Sequence, residues 1–243
     1  MEQTTQPHVI AAADAAPQAR AAFIRRTYLH LAGAIAAFAA VEAWLLQSTI
    51  GEQLIGLMMR GGQMGWLVVI ACFIGVSWLA DSLARSRANT GTQYMGLGLF
   101  VLAEAVIFLP MIDIAMSYTG AYPGDASLVT TAGLMTLLLV AGLTATVFIT
   151  RADFSFMKNI LTIGFLLALG AMLIGAFTGF SLGLWFSVAM VGLAAGSVLY
   201  TTSNILHHYG TEDHVAASLS LFASVAMLFW YILRILLAFA NRD

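Results

Sequence analysis

The stretch VAASLSLFASVAMLFWYILRILLAF, residues Val215 to Phe239, decides how this chain folds. It is entered from the polar segment His207-His208-Tyr209-Gly210-Thr211-Glu212-Asp213-His214. Its first half carries small residues on most faces, Ala216, Ala217, Ser218, Ser220, Ala223, Ser224 and Ala226. Its second half is bulky, from Leu228-Phe229-Trp230-Tyr231 to Leu237. Between helices in lipid there is no hydrophobic driving force, and small residues let backbones approach closely. A helix with lipid on one side has no need of them nearly all round, whereas an enclosed helix does. The stretch therefore reads as the central post of a membrane bundle.

Composition supports that class. The chain is 60% hydrophobic and 9% charged, where a soluble domain carries roughly 25% charged residues. A net charge of -2 gives no basic surface for nucleic acid. Neither strand-period alternation nor a phosphate-binding or dinucleotide fingerprint occurs, so no cofactor is expected. The single cysteine, Cys72, lies in an apolar run and reads as inert packing.

Outward from the last stretch, apolar runs occupy Thr27 to Leu46, Gly65 to Ala80, Thr92 to Ile112, Leu128 to Ile149, Ile160 to Phe177, Leu182 to Leu206 and Val215 to Phe239. About 20 helical residues cross a hydrocarbon core of roughly 30 Å, which predicts an all-α membrane protein with seven spans. Turn and charge signals separate them at Arg60-Gly61-Gly62, at Arg85 to Gly91, at Tyr122-Pro123-Gly124-Asp125 and at Thr150 to Asp153. The break at Thr178 to Ser181 is weak, which leaves a six-span alternative. Residues 1–22 lack a short apolar signal core and read as a disordered cytoplasmic tail, with the transmembrane domain over residues 23–243.

Seven of the ten Lys and Arg residues, Arg20, Arg25, Arg26, Arg85, Arg87, Arg151 and Lys158, fall on one side of seven spans. That bias predicts a cytoplasmic N-terminus and an outside C-terminus. Gly175-xxx-Gly179, Gly179-xxx-Gly183 and Gly192-xxx-Gly196 would supply close packing in runs five and six.

Two carboxylates, Glu42 and Glu104, sit inside spans. Charge there costs several kcal/mol and marks an ion pathway or a buried structural acid. Counting about 1.5 Å per residue from the span centres puts Glu104 roughly 3 Å, Glu42 roughly 7 Å and Arg234 roughly 10 Å toward the outside, where the three would meet. Pro110 follows Glu104 and removes the helical hydrogen bond to the carbonyl of Val106. Asp81 and Arg85, at i,i+4, read as a surface pair. The histidines near residue 210 lack the spacing of a metal site. Gly179-Phe180-Ser181-Leu182-Gly183 has the form of a nucleophilic serine turn, but the topology puts every histidine across the membrane from it. The chain is therefore not read as an enzyme.

Phe23-Ile24-Arg25-Arg26-Thr27-Tyr28, Leu31-Ala32-Gly33, Glu104 with Pro110, Thr150-Arg151-Ala152-Asp153-Phe154-Ser155-Phe156-Met157, Leu199-Tyr200 and Leu228-Phe229 together resemble the Bax inhibitor-1 (transmembrane Bax-inhibitor-motif) family. The resemblance implies seven helices with the last wrapped by the other six. It also implies a pH-sensitive calcium leak in some members, and association with a membrane-bound AAA protease in bacterial inner-membrane ones. The family pattern carries an aspartate in each of its last two helices, a pair that shares a proton. Thr201 and Ser224 stand at those positions here. Hydroxyls do not titrate near neutrality, so they would bridge the two helices independently of pH. Two readings follow: a calcium or cation leak pathway through Glu104 without the pH sensor, or a non-conducting regulator that binds a membrane protease.

Overall fold

The computed structural model describes residues 11–86, 89–118, 127–180 and 182–241, with 63 and 64 described by backbone alone. Among these the chain forms eight α-helices: α1 (Pro17–Leu45), α2 (Thr49–Arg60), α3 (Gly62–Ala84), α4 (Thr90–Ser117), α5 (Leu128–Thr150), α6 (Met157–Thr178), α7 (Gly183–His207) and α8 (His214–Ala240). All but α2 are long and apolar enough to cross a membrane, which makes this an all-α protein with seven spans.

Local chemistry sets the ends of these helices. Pro17 opens α1 where its missing N–H costs nothing. Side chains of Ser48, Asn89 and Ser127 accept hydrogen bonds from the first-turn amides of Gly51, Thr92 and Thr130. The weak break after α6 is a true turn, because Gly179 and Gly183 adopt φ of +74° and +62°, conformations open to glycine. That removes the six-span alternative. It also corrects the reading of Gly175, Gly179 and Gly183 as one packing face, since α6 stops before Gly179. Gly196 does pack, against Met157 and Leu161 of α6.

The α8 helix is central. Val215, Ala216, Ala217, Ser218 and Leu219 are all buried, and five successive residues at 3.6 per turn cover the whole circumference. α8 packs against α1, α3, α4, α5 and α7, and α4 is as deeply buried as α8. The expected enclosure by six helices is thus corrected: α6 stands off and packs chiefly on α7. Phe108 of α4 holds the centre, edge-on to Trp230 at 4.8 Å and stacked on Phe229 at 5.7 Å. Offset and edge-to-face arrangements of this kind add to area burial.

Three other expectations change. The supposed tail is partly structured, because residues 17–22 begin α1 and Ala12 is fully buried. The amide of Ala12 donates to the Tyr209 carbonyl at 2.8 Å, and Arg20 donates to the carbonyls of Ala12 and Ala13. Residues 1–10, with His8, lie outside the described residues. Cys72 is exposed on α3 and not packed. Finally, α2 occupies what reads as a connection between runs one and two. Its Leu54 and Ile55 cover Leu45, Ala105 and Leu109, while Ile50, Leu57 and Met59 stay exposed.

One close approach in the bundle joins α3 and α4. A Cβ on Gly96 would lie 2.5 Å from the Ala80 carbonyl oxygen and from the Ala84 nitrogen, whereas one on Gly98 would meet nothing within 4 Å. Gly96→Ala is expected to lose about 1–3 kcal/mol through overpacking. Gly98→Ala is expected to be neutral or to gain up to about 1 kcal/mol. Thermal melts in detergent check the pair, and equal shifts in the two variants would contradict this packing.

Candidate functional site

Glu104 is buried on α4 and lines a cavity of about 630 Å³ bounded by α3, α4, α6, α7 and α8. Among the described residues its carboxyl group has no hydrogen bond or ion pair. α4 runs through Pro110 to Ser117, so the proline lies within the helix and does not end it. Thr201, Ser224, Ser197 and Lys158 line the same cavity, which brings together the acid and both positions that replace the family's aspartates.

Those hydroxyls link α7 to α8. Ser224 Oγ lies 3.4 Å from Thr201 Oγ1, a long contact, but 2.9 Å from Ser197 Oγ, and it donates to the Ser220 carbonyl at 3.1 Å. Hydroxyl pairs bond best at 2.5–3.0 Å, so Ser197, which the sequence reading passes over, is the stronger partner. Its spacing from Thr201, i,i+4 on one helix face, is the signal that identifies it.

A second cavity, about 680 Å³, adjoins the first and shares Lys158, Tyr200, Thr201 and Ser220 with it. Arg85, His208, Tyr209 and Asp213 line this vestibule. Arg85 Nε donates to both Asp81 oxygens at 2.9 and 2.8 Å, which holds the guanidinium pKa above its ordinary value. Arg85 Nη2 also donates to Ser220 Oγ at 3.3 Å, and the Tyr209 hydroxyl lies 2.9 Å from the same oxygen. The surface pair expected from the i,i+4 spacing is thus present, and through Ser220 its arginine also ties the end of α3 to α8. Nearby, Ser203 Oγ accepts from the Phe154 amide at 2.9 Å and anchors the α5–α6 loop. The Ser155 amide donates to Asp153 at 2.9 Å and pulls that carboxyl below its ordinary range.

The expected meeting of Glu42, Glu104 and Arg234 does not occur. Glu42 lines a separate cavity bounded by α1, α4, α5 and α8. Phe38 lines that cavity and Phe108 lines the one at Glu104; their rings pack edge-on at 5.3 Å and wall the two apart. Arg234 is half-buried on α8 and pairs with neither acid. Among the described residues no three His, Cys, Asp or Glu side chains form a metal-binding group. His207 Nδ1 contacts the Ser203 carbonyl, and His214 stands 5.1 Å from the ring of His30. Ser181, Arg87, Arg242 and the turn at Tyr122 to Asp125 lie outside the described residues.

Residues 20–241 match the family model for the inhibitor of apoptosis-promoting Bax1. The chain belongs to the Bax inhibitor-1 family. It is 33% identical over 162 residues to the Escherichia coli modulator of FtsH protease YccA, covering 66% of this chain and 71% of that protein. A Pseudomonas aeruginosa relative, uncharacterized, is 39% identical over 114 residues; that match spans 46% of this chain and about half, 51%, of the relative. A Neisseria meningitidis relative, also uncharacterized, is 26% identical over 180 residues, 74% of this chain and 75% of its own length. The chain is therefore a multi-pass member of this membrane family.

Within it, the hydroxyl link generates a measurable coupling. Ser197→Ala and Ser224→Ala should each destabilise the protein, with a coupling of about 0.6 kcal/mol, the average for interhelical hydrogen bonds in a membrane protein. The coupling between Thr201→Val and Ser224→Ala should be smaller. Double-mutant cycles from unfolding in mixed micelles test this, and a larger coupling to Thr201 would contradict the geometry.

Proposed function

We propose that this chain is a bacterial inner-membrane regulator of a membrane-bound AAA protease, closed to ions by the hydroxyl link of Ser197, Ser224 and Thr201. The observation that carries the reading is its similarity, over two thirds of its length, to a protein named as a modulator of the FtsH protease. The interior is consistent with it, because no titrating group bridges α7 and α8 at the link. Arg20, Arg85, Arg151 and Lys158 gather at the end of the bundle that carries the N-terminus, which supports a cytoplasmic N-terminus and an outside C-terminus. At that end the 11–16 segment is pinned to Tyr209 and Gly210, and the α5–α6 loop to Ser203. These two segments offer a partner a fixed surface.

A cation leak is the second reading, favoured by the buried carboxyl of Glu104 on a cavity that adjoins the vestibule. The vestibule wall is mixed in charge, with Arg85 paired to Asp81 and Asp213 lining it together with Lys158, so the regulator reading stands first on the similarity to the FtsH modulator.

Calcium-loaded proteoliposomes and protease capture separate the two. The regulator retains the protease on affinity purification and loses it when residues 1–16 are deleted, and its vesicles leak no faster than protein-free ones at pH 8 or pH 6. Flux rising steeply between those pH values, and abolished by Glu104→Gln, would replace the regulator with the pore.

A further inference from the structure

The cavity at Glu42 is separate from the vestibule and from the Glu104 cavity, and neither functional reading uses it. It has a volume of about 470 Å³, within the range of pockets that hold one small molecule. Its walls are apolar, with Phe38, Ile112, Phe222, Val225 and Phe229 among them. Met116 and Leu137 on its lining are exposed apolar residues of α4 and α5, and the exposed Gln47 lies just past the end of α1, so the pocket opens on the lipid-facing side close to the polar end of the bundle.

Glu42 is 4% exposed, and both of its carboxyl oxygens are buried without a hydrogen-bond partner. The other polar side chains of the pocket are committed elsewhere. Gln47 Nε2 donates to the Ala43 carbonyl at 2.9 Å, and the Thr136 hydroxyl donates to the Ala132 carbonyl at 2.7 Å. A buried polar group left unpaired costs on the order of 1–3 kcal/mol, more when charged, so a ligand that supplies the missing donors recovers that cost on binding.

We propose that this pocket binds a lipophilic primary amine, a single apolar body whose ammonium group is received by Glu42. An ammonium carries three N–H donors and no acceptor, which suits two empty carboxyl oxygens. The lining also includes the phenyl rings of Phe38, Phe222 and Phe229. A calcium ion does not fit, because it takes six to eight oxygen ligands and one carboxyl is free here. An alcohol offers one donor where two oxygens are open. The volume suits one alkyl chain and not a two-chain phospholipid.

The test uses the full chain in nanodiscs of phosphatidylcholine and phosphatidylglycerol with a diazirine-bearing long-chain alkylamine as probe. Saturable photolabelling should map to α1, α4, α5 and α8 around Glu42. Dodecylamine should compete and dodecanol should not. Glu42→Gln, which keeps the shape and removes the charge, should lower the apparent affinity at least tenfold. Gly133→Leu offers a second variant, since a Cβ there meets nothing within 4 Å; it should fill the pocket and block labelling with Glu42 intact. Labelling that does not saturate, that dodecanol competes equally, or that survives both substitutions in proteins with unchanged melting would overturn the site. Displacement by phosphatidylethanolamine as effective as that by dodecylamine would overturn the single-chain assignment.

Discussion

Inside a bilayer, helices gain nothing by hiding apolar surface from one another, so the bundle depends on how closely backbones can approach. α8 meets that requirement over its first half, where small residues and Leu219 are buried all round. The same requirement recurs between α3 and α4, where Gly96 leaves no room for a side chain beside Ala80 and Ala84. Where α8 and α4 become bulky, contact passes to aromatic packing around Phe108.

Cavities arise where close approach fails. α6 packs on α7 and stands off α8, and the space between holds Glu104 and the hydroxyls of Ser197, Thr201 and Ser224. On another side, α1, α4, α5 and α8 enclose the pocket of Glu42. Each acid is thus confined to its own compartment, with Phe38 and Phe108 as the partition. A single carboxyl group in each compartment gives little basis for a multidentate cation site. Regulation through protein contacts, at the end where the N-terminal segment meets the α7–α8 loop, agrees better with that arrangement.

The helical architecture was legible because its causes are local: apolar runs of spanning length, and small residues around Val215 to Ala226. Seven spans and the depth of α8 follow from those signals. Thr201 and Ser224 are singled out by the family resemblance instead, and Ser197, not Thr201, is the nearer partner of Ser224. Less was legible where the outcome depends on azimuth. Depth along the helix axes put Glu42, Glu104 and Arg234 near one another, but depth says nothing of which way a side chain points, and Phe38 and Phe108 keep the acids apart. Ser197 escapes the sequence reading because its i,i+4 spacing from Thr201 gains meaning only when α7 turns that face toward Ser224. α2 was overlooked because its 12 residues are too few to span and its sequence mixes Glu52, Gln53 and Arg60 with apolar residues.

The enclosure of α8 by protein is the claim on which the rest stands. With Cys72 replaced by Ala, single cysteines at 216, 217, 218 and 219 sample the full circumference of its first turn, and one at 138 samples an exposed face of α5. The rate of reaction with a membrane-partitioned maleimide is the measurement. Enclosure by protein predicts slow labelling at all four α8 positions and fast labelling at 138; rapid labelling at any two of the four would put lipid against α8 and contradict that enclosure.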